Sequence, residues 1–190
     1  MRRAAFVLFC CGALPACVSN RPAPPSLQWG QRVSDLQLAS AWQLDGRAAV
    51  ALGTQGWQAT MIWRQADIYA EVRLAGPFGI GALLLKQTPN GLSLNGAPPS
   101  DAVLTQLQER LGFVLPLDNL RFWLLGVPDP NSPFGLTRND QDRARQVTQA
   151  GWSIAYDRYM PVAGDLLPAR LTLSRDDVRV RIVIDHWDWP

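Results

Sequence analysis

Histidine occurs once in the 190 residues, at His186, and cysteine three times, at Cys10, Cys11 and Cys17. A catalytic set built on imidazole would have to use that single His, between Asp185 and Trp187, and no Gly-x-Ser-x-Gly motif accompanies it. Tetrahedral metal sites need several closely spaced Cys or His ligands, which this chain does not offer. No Gly-rich phosphate loop is present either. Asp140, Asp142, Asp176 and Asp177 read as solvated turn carboxylates. These absences argue against an enzyme, a metal and a cofactor. Charge is also scarce, at 18% of residues against a usual quarter. Basic residues number 18 and acidic residues 16; without Arg2 and Arg3 the two signs are level. A neutral chain gives no case for nucleic acid or for a polybasic membrane patch. No segment is apolar over the length needed to span a bilayer.

The apolar run that does exist sits at the start. Ala4 to Leu14 follows Arg2-Arg3 and ends in Pro15-Ala16, the shape of a secretory leader. Leu14-Pro15-Ala16-Cys17 then resembles the lipobox of bacterial lipoproteins, although Pro15 is a less usual residue within it. That resemblance implies cleavage of residues 1–16, diacylglycerol on the Cys17 sulfur and an acyl group on its new amine. Only a thiolate-forming side chain performs the first step near neutral pH. Cys10 and Cys11 would leave with the leader, so the mature chain could form no internal disulfide. Three acyl chains satisfy the multiple-anchor requirement for stable attachment. Val18, rather than Asp, follows the Cys, which by the lipoprotein rule points to the outer membrane. Val18 to Ser26 (VSNRPAPPS) reads as an extended Pro-rich tether, giving residues 17–26 as anchor and tether and 27–190 as the domain.

Within the domain, Leu27 to Ala39 suits a short helix with Trp29, Val33 and Leu36 on one face. Period-two alternation follows. Trp42, Leu44, Gly46, Ala48, Val50 and Leu52 share one face, as do Trp57, Ala59, Met61 and Trp63, and then Ile68, Ala70, Val72 and Leu74. Further strands are expected at 80–86, 92–95, 152–156, 171–174 and 178–186. Ser100 caps a helix with Val103, Leu104, Leu107 and Leu111 in a stripe, and Leu117 to Leu125 forms a second, very apolar helix containing Trp123. Residues 127–145 read as a polar loop, in which Ser132-Pro133-Phe134-Gly135 anchors the chain to the sheet. The fold class is mostly β: a strongly curved antiparallel sheet, or half-open barrel, covered by short helices.

One turn breaks the pattern of the others. Gly53–Gly56, Arg64–Asp67 and Thr88–Gly91 carry polar tips, whereas Gly76-Pro77-Phe78-Gly79 does not. Pro at the second position and Phe at the third suit a type I turn, in which Phe needs no positive φ.

Taken in order, several stretches resemble the LolB family of outer-membrane lipoproteins. They are the lipobox, Trp42-x-Leu44-x-Gly46-Arg47-x-Ala49-Val50, Gly56-Trp57-x-Ala59 with Trp63, and Gly76-Pro77-Phe78-Gly79. Leu115-Pro116-Leu117, Gly151-Trp152-x-Ile154-x-Tyr156 and Val180-Arg181-Ile182-x-Ile184-Asp185-x-Trp187 continue the match. The resemblance implies an apolar cavity large enough for acyl chains inside a half-open barrel. It implies an acceptor that takes mature lipoproteins from the periplasmic carrier LolA and inserts them into outer-membrane lipid, acting as a monomer without cofactors. Its insertion loop maps onto Gly76, Pro77, Phe78 and Gly79, with Phe78 as the projecting residue. The inward positions that would line a cavity are Val50, Trp57, Met61, Trp63, Val72, Leu74, Leu83, Trp123, Ile154, Leu173, Val180 and Ile182. Alternation alone reads each of these equally well as plain core.

Overall fold

A computed structural model describes residues 25–114 and 116–190. The leader, Cys17, residues 18–24 and Leu115 lie outside the described residues. The chain begins with helix α1 (Pro25–Gln37) and a meander of five strands: β1 (Ala41–Leu52), β2 (Gln55–Ala66), β3 (Tyr69–Ala75), β4 (Leu83–Thr88) and β5 (Gly91–Leu94). Helices α2 (Asp101–Leu111) and α3 (Leu117–Leu124) follow, then β6 (Phe134–Arg138), β7 (Ala144–Gln149), β8 (Trp152–Val162), β9 (Asp165–Arg175) and β10 (Val178–Asp188). All ten strands form one antiparallel sheet in the order β5-β4-β3-β2-β1-β10-β9-β8-β7-β6. The first and last strands meet at its centre. β5 and β6 remain edges, so the sheet is open, and α2 and α3 lie against its apolar face.

That face is built by the alternation. β1 buries Trp42, Leu44, Ala48 and Val50 and exposes Arg47, Ala49 and Ala51. Each buried aliphatic side chain contributes about 1.5–3 kcal/mol. An exposed pair such as Arg47–Asp185 contributes far less, because water and salt screen it. Burial therefore sets the strand register. One bulge adjusts it: Asp45 pairs with His186 but Gly46 pairs with Ile184, leaving Asp185 as the extra residue. Ile184 thus points inward before the bulge and Trp187 after it. Position 46 tolerates no side chain, because a Cβ there would stand 2.4 Å from the Val183 carbonyl oxygen. Beyond the bulge, Trp42 stacks on Trp63 with ring centres 6.0 Å apart and meets Trp187 edge-on at 5.4 Å.

Several sequence expectations need correcting. The loop expected at 127–145 contains β6 and the start of β7. Their residues are mostly exposed, so no apolar alternation marked them. Phe134 is half exposed on the edge strand and is not a buried anchor. β2 runs on to Ala66, with Gln65 buried, and the turn is Asp67-Ile68; Ile68 is exposed rather than inward. Leu104 faces solvent while Val103, Leu107 and Leu111 of the same helix are buried. The Ser100 hydroxyl does accept from the Val103 amide, at 3.4 Å, as expected of a cap. Helix α1 starts at Pro25, two residues inside the expected tether, a position that suits Pro because the first helical amide needs no partner.

Helix α1 crosses the end of the sheet from which β1 rises. Arg32 Nε donates to Asp165, the first residue of β9, at 2.8 Å, and its Nη2 donates to the Leu166 carbonyl at 2.8 Å. Gln37 Nε2 reaches the Pro128 carbonyl at 2.9 Å. The β3–β4 turn stands at the other end.

Candidate functional site: the Phe78 turn and the interior beneath it

The β3–β4 connection is a single 3-10 turn, Pro77–Gly79. The Gly79 amide donates to the Gly76 carbonyl at 2.9 Å, and the Gly76 amide donates to the Ile80 carbonyl at 3.1 Å. A Cβ on residue 76 would sit 2.7 Å from that Ile80 oxygen, so Gly76 is required. Phe78 has φ 57° and ψ 21°. The expected type I geometry is therefore replaced by a positive φ at the third position, the type II pattern that normally takes Gly. A bulky residue there costs about 1–2 kcal/mol. Nothing within the fold offsets the cost, since Phe78 is completely exposed and Ile80 beside it largely so. The protein holds an aromatic ring in water on a strained backbone.

Under this turn lies an opening of about 360 Å³. It is lined by Trp57, Leu74, Gly76, Ile80, Gly81, Leu83, Arg110 and Leu111, with Gln58 and Ala59. Trp57, Leu74 and Leu111 also border an interior void of about 30 Å³. The void's walls are Val50, Trp57, Met61, Trp63, Val72, Leu74, Val180 and Ile182, joined by Ala48 and, from the helical side, Leu111, Phe113 and Leu120. The first eight were expected from alternation. Leu83 borders only the mouth. Ile154 and Leu173 are fully buried in the other half of the sheet and Trp123 is fully buried on α3; none of the three touches either space. Inside the sheet no hollow of several hundred Å³ stands open among the described residues, because Leu111 of α2, Phe113 and Leu120 of α3 fill it. Alternation put Ala48 on this face and the expected helix 117–125 contains Leu120, although neither was named as a wall; Phe113 lay outside every expected element.

The two covering helices are held very differently. Trp123 Nε1 of α3 donates to Gln149 Oε1 at 2.9 Å, and the Asp129 amide donates to the same oxygen at 2.9 Å. Tyr156 donates its hydroxyl proton to the Trp123 carbonyl at 3.0 Å. Burial pushes the Tyr156 hydroxyl well above its ordinary pKa, so it stays a neutral donor. Helix α2 has no such ties. Among the described residues, no α2 side chain makes a hydrogen bond or ion pair to another element. It rests on Val103, Leu107 and Leu111 alone. At its end Gly112 takes φ 83°, and a Cβ there would come within 2.4 Å of Leu52 Cδ2.

No cluster of three His, Cys, Asp or Glu side chains occurs among the described residues. No described helix is long and apolar enough to cross a membrane.

Comparison with known proteins agrees with this geometry. The family model described as "Outer membrane lipoprotein LolB" matches residues 40–187. The outer-membrane lipoprotein LolB of Nitrosococcus oceani is 32% identical over 181 residues, covering 93% of this chain and 90% of that protein. The LolB of Pseudomonas aeruginosa is 34% identical over 163 residues, covering 84% and 80%. Among solved structures, a LolA superfamily protein from Nitrosomonas europaea superimposes with a TM-score of 0.57 over 88% of this chain and 94% of its own, at 8% identity. That last likeness is one of fold.

Proposed function

The chain belongs to the LolB family of outer-membrane lipoproteins, and from that premise we propose that it is the acceptor which receives mature lipoproteins from the carrier LolA and inserts them into the outer membrane. It is an outer-membrane lipoprotein of the lipoprotein-localisation machinery and works by binding rather than by chemistry. Cys17 carries the diacylglycerol and the N-linked acyl chain, and residues 18–24 connect it to the folded domain.

The observation that carries this reading is Phe78, strained and fully exposed on the turn whose Gly76 and Ile80 border the mouth of the apolar interior. An acyl chain gains about 0.8 kcal/mol for each methylene taken out of water. It therefore moves usefully only between apolar surroundings. With the mouth under the turn, a chain leaving the interior meets lipid wherever Phe78 has entered the bilayer. The 30 Å³ void is far smaller than a chain, so cargo enters by displacing α2. Packing alone holds α2, and the apolar cargo replaces the contacts it gives up.

The test is Phe78→Glu. The variant keeps its fold and takes cargo from the carrier, but it fails to insert that cargo into liposomes. Normal insertion by this variant overturns the assignment. Cys17→Ala gives an unanchored protein that still competes for cargo.

A second reading draws on the nearly filled interior: an assembly lipoprotein that binds a protein partner and no acyl chain. A fluorescent fatty acid that fails to bind, with α2 unmoved, decides for it.

A further inference from the structure

The turn that carries Phe78 forms a wall of two hollows. Its inner side roofs the mouth. Its outer side, Gly76 to Gly79, overhangs a groove of about 600 Å³ on the solvent face of the sheet. The groove floor carries the small apolar residues Ala49, Ala75 and Val183 beside Gln58 and Thr60, and two arginines border it, Arg47 and Arg181. Arg47 forks onto Asp185, with Nη2 to Oδ1 at 2.8 Å and Nε to Oδ2 at 3.0 Å. Arg181 lies between Ala49 of β1 and Thr172 of β9 in the strand register, and the Thr172 hydroxyl donates to Asp157 at 3.2 Å. Among the described residues Arg181 makes no ion pair. The groove thus combines one uncompensated guanidinium, a second held upright by its carboxylate, an alanine floor and an aromatic residue at the rim.

A guanidinium matches the fork of a phosphate, and its charge is weakly hydrated, which favours that pairing where water is thin. The volume falls within the range of small-molecule sites. An alanine floor beside Phe78 suits glycerol carbons and the first methylenes of a chain. We propose that this groove seats the phosphodiester headgroup of a membrane phospholipid, with Arg181 as the principal ligand and Arg47 as the second. The inference rests on the reading of Phe78 as a membrane-inserting residue. The headgroup then lies on one side of the turn and the cargo mouth on the other. The turn parts a resident lipid from the incoming chain, and the charge contact fixes its depth at the level of the phosphates.

The test uses the full acylated protein, carrying Ile80→Cys labelled with an environment-sensitive fluorophore. It is reconstituted into vesicles of phosphatidylethanolamine with phosphatidylglycerol, or into vesicles of uncharged glycolipid that contain no phosphate. The ratio of inserted to withdrawn turn is expected to be about fivefold higher on the phospholipid, the weight of one arginine near an anionic surface. Arg181→Gln removes that difference and leaves insertion into glycolipid unchanged. Phe78→Glu withdraws the turn from both. Arg181 is exposed, so its substitution leaves the fold intact, and a thermal melt confirms it. Equal insertion of the unsubstituted protein into both lipids, or a phospholipid preference that survives Arg181→Gln, overturns this inference alone. A turn that stays in water on both lipids overturns it together with the reading of Phe78.

Discussion

The indole nitrogen of Trp123 donates to the side-chain oxygen of Gln149 at 2.9 Å, which ties helix α3 to strand β7. Gln149 is one of the few buried polar residues, and it also accepts from Asp129 and donates to the Asp129 carbonyl. Gln149→Leu strands the indole and the Asp129 amide together. Each buried donor left without a partner costs about 1–3 kcal/mol. The expected loss is about 2–4 kcal/mol in urea unfolding. In a double-mutant cycle with Trp123→Phe, a large share of it should appear as coupling between the two positions.

Phe78→Gly separates stability from function. Glycine adopts the left-handed conformation of position 78 at no steric cost. The variant is expected to gain about 1 kcal/mol in urea unfolding, after allowing for glycine's own entropy. It should lose liposome insertion as completely as Phe78→Glu does. A protein that gains nothing from glycine at this site would contradict the strain assigned to it.

Leu107→Ala tests α2 as the movable cover. The lost packing lowers stability by about 2–4 kcal/mol. Fewer contacts then have to be displaced by an acyl chain, so a fluorescent fatty acid should bind this variant more tightly than the parent. Weaker binding would mean that Leu107 contacts the ligand rather than the floor beneath it.

The buried tyrosines set an alkaline limit. Burial raises the pKa of both Tyr156 and Tyr159 above the ordinary phenol value. The folded state keeps these protons where the unfolded chain has lost them. Their contribution is therefore complete below about pH 10 and drains as the pH rises further, by about 1.4 kcal/mol per unit for each fully shifted group. Urea midpoints measured between about pH 9 and about pH 11 should fall more steeply for the parent than for Tyr156→Phe.

The sheet was readable from the sequence wherever one face is buried and the other is wet. Val178, Val180, Ile182 and Ile184 against Arg179 and Arg181 announce β10 without ambiguity. β6 escaped because an edge strand buries little, with Leu136 only half covered; β7 escaped because, of its three buried positions, only Val147 is large and apolar, the others being Ala144 and the amide of Gln149. Its partners lie 20 and 26 residues away in the chain, beyond any local pattern. The apolar tip at Phe78 was legible by contrast with its polar counterparts, but its backbone was not. Steric preference favours a negative φ for Phe, and the turn overrides it. Alternation identified most walls of the interior and could not give its volume, which depends on how far α2 and Phe113 reach inward.

Helix α1 meets the sheet at the end opposite the Phe78 turn, and under the proposed roles of Cys17 and Phe78 this limits how the molecule can stand. Along β3, seven residues separate the two ends by about 23 Å. Drawn taut, the chain from Cys17 to Pro25 reaches about 27 Å. With its acyl group in the leaflet, the protein resembles a boat on a short mooring line. The reach exceeds the separation by little, so the line has just enough slack for the molecule to stand with its bow in the bilayer surface. Removing three or four residues from the 18–24 segment would lift the bow clear of the lipid while leaving every fold contact untouched.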